Sequence, residues 1–166
     1  MKTFCLTTML SVFMLICSNG VHAQTSQTKL DQVELLKQWI GYWKAEIGKD
    51  TFFIMDCKSF HEGLDTYIKI ETKGKIIGEK RTLMGYDKKN DKCFEAIIDN
   101  ASPALAIFEC WHSSPNKMVE IYLEDISNLD NANNKWTFEL KSPDLFIWTD
   151  IVNNKAVNTY TFHREK

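Results

Sequence analysis

The chain has 166 residues, which is enough for one domain of ordinary size with a hydrophobic core. Hydrophobic residues make up 44% of it, which excludes a disordered protein. The formal net charge of −2 and a pI near 6.1 argue against a nucleic-acid-binding protein, and no block of like charge is long enough to form an interaction tail.

Residues 1–23 have the pattern of a secretory signal peptide. Lys2 supplies the positive charge, residues 4–16 form the apolar run, and Val21-His22-Ala23 offers a cleavage site before Gln24. The apolar run is too short to cross a membrane, and no later run approaches the length that a membrane span needs. The sequence therefore predicts a secreted or periplasmic protein without a transmembrane span.

The cysteines leave two questions open. Leu15-Ile16-Cys17 resembles a bacterial lipoprotein cleavage box, but Ile16 is bulky where that box has a small residue, so lipidation at Cys17 is the less favoured alternative. Removal of the signal peptide would take Cys5 and Cys17 away and leave an odd number of cysteines: Cys57, Cys93 and Cys110. In an oxidising compartment one pair could form a disulfide, and the sequence does not determine which pair.

A short amphipathic helix is predicted within residues 24–40, the extension that follows the signal peptide. Leu30, Val33 and Leu36 recur at helical spacing. Thr28 followed by Asp31 resembles a capping box, which would start the helix at that point. We expect the apolar side of this helix to cover one end of the domain that follows.

From Gly41 onwards the hydrophobic pattern has a period of two residues, which predicts β-strands. Turn residues separate the candidate strands, which are 41–47, 51–60, 64–73, 76–86, 93–99, 104–112, 117–125, 135–142, 144–152 and 155–164. Short strands joined by brief polar turns, with no second long helix among them, predict a single all-β domain over 41–166. Its architecture would be an antiparallel sandwich or barrel.

Alternation within the strands predicts which side chains point into the core. In 135–142, Trp136 and Phe138 alternate with charged residues and are expected to point inward. The same reasoning places Val119 and Ile121 inside and Glu120 in water. These assignments make the aromatic and aliphatic residues the lining of any cavity.

Other strands give weaker face assignments. Phe94 is expected to share a face with Ala96 and Ile98, and the face of strand 76–86, which carries Arg81, is ambiguous. Segments 104–112 and 144–152 are apolar on both sides. One set of their side chains must therefore pack outward, under the helix or against a partner subunit.

Gly41-x-Trp43 at the start of the first strand resembles the lipocalin-like (calycin) barrels. In those barrels a basic residue of the last strand covers this tryptophan by cation–π stacking and bonds loop carbonyls. Arg164, which shares a strand face with Tyr160 and Phe162, matches that role by position. The resemblance implies a single antiparallel lipocalin-like β-barrel of about 8–10 strands, in which Gly41, Trp43 and Arg164 are structural.

A second resemblance covers the middle of the chain. Gly85-Tyr86-Asp87 followed by Ile97-Ile98-Asp99 is similar to a Gly-Tyr-Asp … Trp-x-Asp pattern in a bacterial lipocalin-like domain family of unknown function. Ile97 stands where that family usually has tryptophan. Because the family has no agreed activity, this resemblance implies a fold and no particular function.

No catalytic motif, metal site or cofactor is predicted. Cys110 and His112 share a strand face, but their possible partners Cys57 and His61 are about 13 Å apart along a strand, too far to hold one ion. A late-strand His163 resembles the haem ligand of nitrobindin-like barrels, but alternation points it outward. Single strand carboxylates are usually solvated, and Asp99 is expected to cap a turn. The other single carboxylates considered as acid–base groups are Asp56, Glu62, Asp65 and Glu109.

The main functional hypothesis is that the barrel binds a small apolar or amphipathic molecule. The expected ligand contacts are Trp136, Phe138, Val119, Ile121, Phe94 and Arg81, with Arg81 available for a carboxylate. The first alternative is a cell-envelope interaction protein with a filled barrel, which exposes Phe146, Trp148 or Trp39 to a partner. A haem-binding barrel or an enzyme is the remaining alternative, and a buried cluster of perturbed carboxylates would favour the enzyme. The oligomeric state is left open.

Overall fold

The computed structural model describes residues 29–124 and 134–166. Its ten strands are β1 Gly41–Gly48, β2 Thr51–Phe60, β3 Gly63–Thr72, β4 Lys75–Asp87, β5 Lys92–Asp99, β6 Ser102–Ser114, β7 Lys117–Tyr122, β8 Asn134–Ser142, β9 Leu145–Val152 and β10 Lys155–Glu165. The predicted signal peptide, Cys5, Cys17 and Thr28 lie outside the described residues.

The strands form one closed antiparallel barrel. Each strand pairs with its neighbours in the sequence, and β10 closes the barrel by pairing with β1. Tight turns account for this simple order; Asn153 and Asn154, for example, both have positive φ, which suits the two-residue turn between β9 and β10. The all-β class and the single barrel are thus confirmed, and the architecture is consistent with a calycin-like barrel.

One short helix precedes the barrel. It comprises the α-helix α1, Gln32–Leu36, and a 3-10 turn, Lys37–Trp39. The backbone N–H of Glu34 donates to the side chain of Asp31 at 2.9 Å, so Asp31 is the N-cap and the helix begins later than the Thr28 capping box predicted. No helix in the described part of the chain is long and apolar enough to cross a membrane.

The helix closes one end of the barrel. Leu36 and Trp39 are buried in the core, and Gln32 bonds the backbone of β6 through both atoms of its amide. The N–H of His112 donates to Gln32 at 2.7 Å, and the Gln32 amide donates to the carbonyl of His112 at 3.2 Å. A buried amide that satisfies both partners fixes the position of the helix on the barrel rim.

Arg164 and Trp43 meet at this closed end. Trp43 is fully buried, and the guanidinium of Arg164 lies 4.0 Å from the centroid of its indole ring. The guanidinium also donates to the carbonyl of Gln38 at 2.9 Å, to that of Pro143 at 2.9 Å, and to the carbonyl of Ile40. It therefore ties the last strand to the helix and to the β8–β9 turn.

The two-sided strands resolve into a packed inner face and a partly exposed outer face. Phe146, Trp148 and Trp39 are all buried in the core, so the expectation that they form exposed partner-binding patches is wrong. These rings are buried because they pack against other inner-face rings: Phe146, for example, stacks on Phe162 with centroids 4.6 Å apart. The large apolar side chains that are exposed on the strands are others, including Leu83, Ile98 and Leu105.

Candidate functional site

The barrel interior holds a small deep cavity that adjoins a wider vestibule at the open end. The deep cavity has a volume of about 50 Å³ and the vestibule about 360 Å³. Ile68, Lys80, Trp136 and Trp148 line both spaces, so the two meet at these residues. A molecule that enters at the open end would therefore contact the same two tryptophans before it reached the deep cavity.

Rigid aromatic rings form much of the wall. The rings of Trp136 and Phe108 lie 4.4 Å apart between centroids, and those of Phe138 and Trp148 lie 4.8 Å apart. Trp136, Phe138 and Trp148 line the deep cavity themselves, and Phe108 packs against Trp136. Three methionines complete the apolar wall of the deep cavity and can adapt to an occupant: Met55, Met84 and Met118.

Two carboxyl groups, Glu95 and Glu120, face each other inside the deep cavity. Glu120 is 2% exposed and Glu95 is 8% exposed. Burial, together with the charge of Glu95 and a hydrogen bond to it, raises the pKa of Glu120 well above its usual range. Glu120 is therefore protonated at neutral pH, and its carboxyl is hydrogen-bonded to that of Glu95.

The thiol of Cys110 is the third member of this buried cluster. It donates to the Glu120 carboxyl at 3.6 Å, and burial raises its own pKa well above the usual range. One ligand atom from each of Glu95, Cys110 and Glu120 lies within 4.8 Å of the others. These are residue types that bind metal ions, but the thiol and Glu120 would first have to lose protons that burial holds in place.

Thr66, Thr82 and Lys80 are further polar residues that line the deep cavity. The hydroxyl of Thr82 is 1% exposed and has no hydrogen-bond partner among the described residues. Lys80 lies where the cavity meets the vestibule, with its ammonium 5.7 Å from the centroid of Trp148. Its positive charge favours the ionised form of Glu120, but burial and Glu95 outweigh it in setting the pKa of that group. The cavity thus combines an apolar wall with a few buried polar groups.

His112 forms part of the closed end behind Trp39. The indole N–H of Trp39 donates to Nε2 of His112 at 3.0 Å, which places the imidazole proton on Nδ1. Burial lowers the pKa of His112 to about 4, so this histidine is neutral at physiological pH. Its role here is to hold the helix on the barrel.

Trp136 and Phe138 face the interior as the sequence predicts, and both line the deep cavity. Val119 and Ile121 do not, because the register pairs Glu120 with Trp136 and so turns Glu120 inward. Ile121 is buried, but on the face of β7 that points away from the cavity. The expected inward placement of these two aliphatic residues is therefore wrong.

Phe94 and Arg81 also lie outside the cavity. Phe94 does share a face with Ala96 and Ile98, but that face is the outer one because Glu95 lines the interior. Arg81 is exposed and makes a two-point contact with Asp65, at 2.9 and 2.6 Å. The basic residue that β4 contributes to the pocket is Lys80.

Sequence reasoning missed Glu95 and Glu120 for a physical reason. Strand β7 has apolar residues at both parities, and the alternation rule assigns its aliphatic residues to the core and its glutamates to water. The pairing of β7 with β8 is what decides the face, because Met118 lies opposite Phe138 and Glu120 opposite Trp136. The strand that pairs with Trp136 and Phe138 carries the signal: a residue directly opposite an inward-facing tryptophan faces inward too, and here that residue is Glu120.

The single carboxylates named above as candidate acid–base groups all bind other residues on the outer face of the barrel or in turns. Asp99 accepts a hydrogen bond from the backbone N–H of Ala101 at 2.6 Å, which confirms the predicted turn cap. The others form ion pairs: Asp56 with Lys58, Glu62 with Lys88, Asp65 with Arg81 and Glu109 with Lys92. None of these groups lines the deep cavity.

Within residues 29–124 and 134–166, the structure brings no histidine into a group of three potential metal ligands. His163 is exposed and lies outside the barrel, as alternation predicts, while His112 is engaged by Trp39. Cys57, Cys93 and Cys110 are all free and buried, so no disulfide joins these three. Burial raises the pKa of both Cys57 and Cys93 to about 11, which makes them poor thiolate ligands.

The Gly85-Tyr86-Asp87 motif builds the turn between β4 and β5. The Tyr86 hydroxyl donates to Asp91 at 2.7 Å, and Asp87 accepts from the backbone N–H of Lys89 at 2.8 Å. Tyr86 and Asp87 thus have structural partners.

Neither the models of known protein families nor the curated proteins compared with this chain give a match.

Proposed function

We propose that this protein is an exported, lipocalin-like barrel that binds a small amphipathic molecule at its open end. The observation that carries the proposal is the vestibule of about 360 Å³, which leads past two tryptophans to a deeper cavity with polar groups. Pockets for small ligands typically measure about 300–1,000 Å³ and combine apolar walls with a few placed polar groups. The apolar part of the ligand would lie against Trp136 and Trp148.

The space favours a ligand body in the vestibule and only a small group beyond it. The deep cavity of about 50 Å³ has room for a few atoms, because the rings of the closed end fill the rest of the interior. At about 0.8 kcal/mol per buried methylene, a chain of about eight to ten methylenes contributes about 6–8 kcal/mol. Before ordering costs, that corresponds to an affinity near the micromolar range.

Tryptophan fluorescence tests the binding proposal directly. A panel of fatty acids, fatty alcohols, amines and retinoids is titrated into the protein, and Trp136→Phe should diminish the fluorescence change. Trp111→Phe is the matched control, because Trp111 packs under Lys92, whose ammonium lies 3.9 Å from its ring centroid, outside the cavity. If no member of the panel changes the fluorescence or the melting temperature at saturation, the proposal fails.

Export and family membership belong to the same proposal. The signal-like residues 1–23 support a mature chain that begins at Gln24, and lipidation at Cys17 is the competing outcome. The Gly-x-Trp and Gly-Tyr-Asp motifs support the bacterial lipocalin-like family. Native mass spectrometry of the exported protein distinguishes a free Gln24 terminus from a diacylated Cys17, and also reports any co-purified ligand and the oligomeric state.

A second candidate function, acid–base catalysis, is favoured by one observation. Glu120 is a buried carboxylic acid with a strongly raised pKa, next to Glu95 in a cavity, which is the arrangement of a general acid beside its partner base. Such a pair could donate and accept a proton on a bound substrate. Recovery of every bound ligand chemically unchanged after long incubation would exclude this function for the panel, whereas turnover that Glu120→Gln abolishes would support it.

A further inference from the structure

We propose that the deep cavity is a head-group site for a protonated primary amine, whose apolar chain lies in the vestibule. This inference rests on the proposed binding function and adds the chemistry of the ligand. The walls supply the carboxyl oxygens of Glu95 and Glu120 and the hydroxyl of Thr82, beside the apolar surface of tryptophans and methionines. An alkyl or arylalkyl ammonium has the complementary distribution.

The acid pair is the main polar feature of the deep cavity. Glu95 and Glu120 lie side by side at a site that is almost completely buried, and the charge of Glu95 is one of the causes that raise the pKa of Glu120. The Glu120 carboxyl is occupied by the thiol of Cys110 and by Glu95. No further donor bonds Glu95 in the described part of the chain, so most of the acceptor capacity of that carboxylate is open to an occupant.

Thr82 is an independent indication that a ligand group belongs in this cavity. Its hydroxyl is buried and lines the same space, yet it has no partner within residues 29–124 and 134–166. Thr82 lies opposite Ile97 in the β4–β5 register, and Glu95 is two residues along β5, so the two side chains occupy diagonal positions on the inner face. A buried hydroxyl without a partner costs stability that an occupant would restore.

The geometry favours an ammonium over the other donors. An ammonium offers three N–H donors and a positive charge in a volume of a few atoms, which suits a cavity of about 50 Å³ with a carboxylate and a hydroxyl on its wall. Trp39, Trp136 and Trp148 also line this cavity, and indole rings attract cations in a desolvated space. A hydroxyl head would satisfy fewer acceptors and would leave the negative charge unpaired.

Lys80 bears on the choice because it is itself a cation. It makes no ion pair with either glutamate in the described residues, and it is only half buried, at the junction with the vestibule. Water at the open end screens its charge more than it screens the fully buried acid pair. Lys80 should therefore weaken amine binding modestly, and it is also the group on which a carboxylate ligand would depend.

The experiment compares decylamine, decanol and decanoate, which share a chain length and differ in the head group. Dissociation constants are measured at pH 7 by tryptophan fluorescence, below the concentration at which the probes aggregate. Decylamine should bind at least about tenfold more tightly than decanol, since a charge-assisted hydrogen bond contributes about 1.5–3 kcal/mol and 1.4 kcal/mol is tenfold. Decanoate should bind more weakly than either.

Variants locate the preference. Glu95→Gln should reduce decylamine affinity about tenfold and decanol affinity by much less. Thr82→Val should reduce decylamine affinity by a smaller factor than Glu95→Gln does. Lys80→Gln should tighten decylamine and weaken decanoate. Glu46→Gln is the matched control, because Glu46 is exposed on the outer face of β1. Thermal melts of each variant without ligand show that the fold is retained.

The outcomes separate this inference from the binding function itself. If decanol or decanoate binds as tightly as decylamine to the wild-type protein, the amine site is refuted, whatever the variants do, while the binding function stands. A preference for decylamine that survives Glu95→Gln also refutes it. Stabilisation by Zn²⁺ alone that is lost in Cys110→Ser would assign the cluster to a metal instead. If none of the three probes binds, the proposed function fails together with the inference.

Discussion

Replacement of Gly41 by alanine tests how the closed end of the barrel is held together. Gly41 has a φ of +145°, a backbone conformation that residues with a side chain rarely adopt. A Cβ atom at this position would overlap Nη1 of Arg164. Gly41→Ala therefore strains the backbone and also displaces the guanidinium that stacks on Trp43.

The structure allows the cost to be divided into two parts. The unfavourable φ costs about 1–3 kcal/mol by itself. Displacement of Arg164 weakens its stacking on Trp43, which contributes about 0.5–1 kcal/mol, and its hydrogen bonds to three backbone carbonyls. The Arg164 side chain is 24% exposed, so solvent can replace part of what is lost. We expect a total destabilisation of about 3 kcal/mol, of which about 1–2 kcal/mol depends on Arg164.

A double-mutant cycle measured by urea unfolding checks this division. Gly41→Ala should cost about 1–2 kcal/mol less in the Arg164→Ala background than in the wild type, because the steric conflict has been removed. Gly74→Ala is the control for the backbone part, since Gly74 has a φ of +75° and no atom within 4 Å of the position of its Cβ. If the destabilisation of the double mutant equals the sum of the two single mutants within about 0.3–0.5 kcal/mol, Gly41 does not act through Arg164 and the reasoning is refuted.

Two further predictions concern buried groups that titrate. His112 is neutral in the fold, so its stabilising contribution is present above pH 6.5 and is lost as the pH falls towards its pKa of about 4, by about 3 kcal/mol in all. Urea unfolding at a series of pH values measures this loss of stability, which His112→Gln should remove. His61→Gln is the control, because His61 is exposed and its replacement should leave the loss in place. Equal pH profiles for the two variants would contradict the prediction. Glu120 is protonated in the fold, so it destabilises the protein increasingly as the pH rises above 4.5, the ordinary pKa of a glutamate. The stability of Glu120→Gln relative to wild type should therefore increase from pH 5 to pH 8, and a constant or falling difference would show that Glu120 is ionised in the fold.

The sequence by itself determines the class of fold and most element positions. Period-2 alternation and turn residues predict ten strands, and the structure has ten strands in the same part of the chain. The prediction works because a strand with one buried face must alternate and because a tight turn needs Gly, Pro, Asn or Asp. The structural contact between Trp43 and Arg164 is also predictable. Both residues lie on apolar strand faces at the two ends of the domain, and the resemblance to calycin barrels brings those ends together.

The pocket is decided only by the tertiary structure. In strands β5 and β7, the odd-numbered and the even-numbered side chains both include residues that could be buried, so alternation does not determine which set faces inward. The sequence-based assignment placed Phe94, Val119 and Ile121 inside. The register with neighbouring strands turns the opposite set inward and brings Glu95 and Glu120 together from separate strands. A one-residue change of register reverses every side chain of a strand, and cross-strand pairing is a long-range property that no local pattern contains.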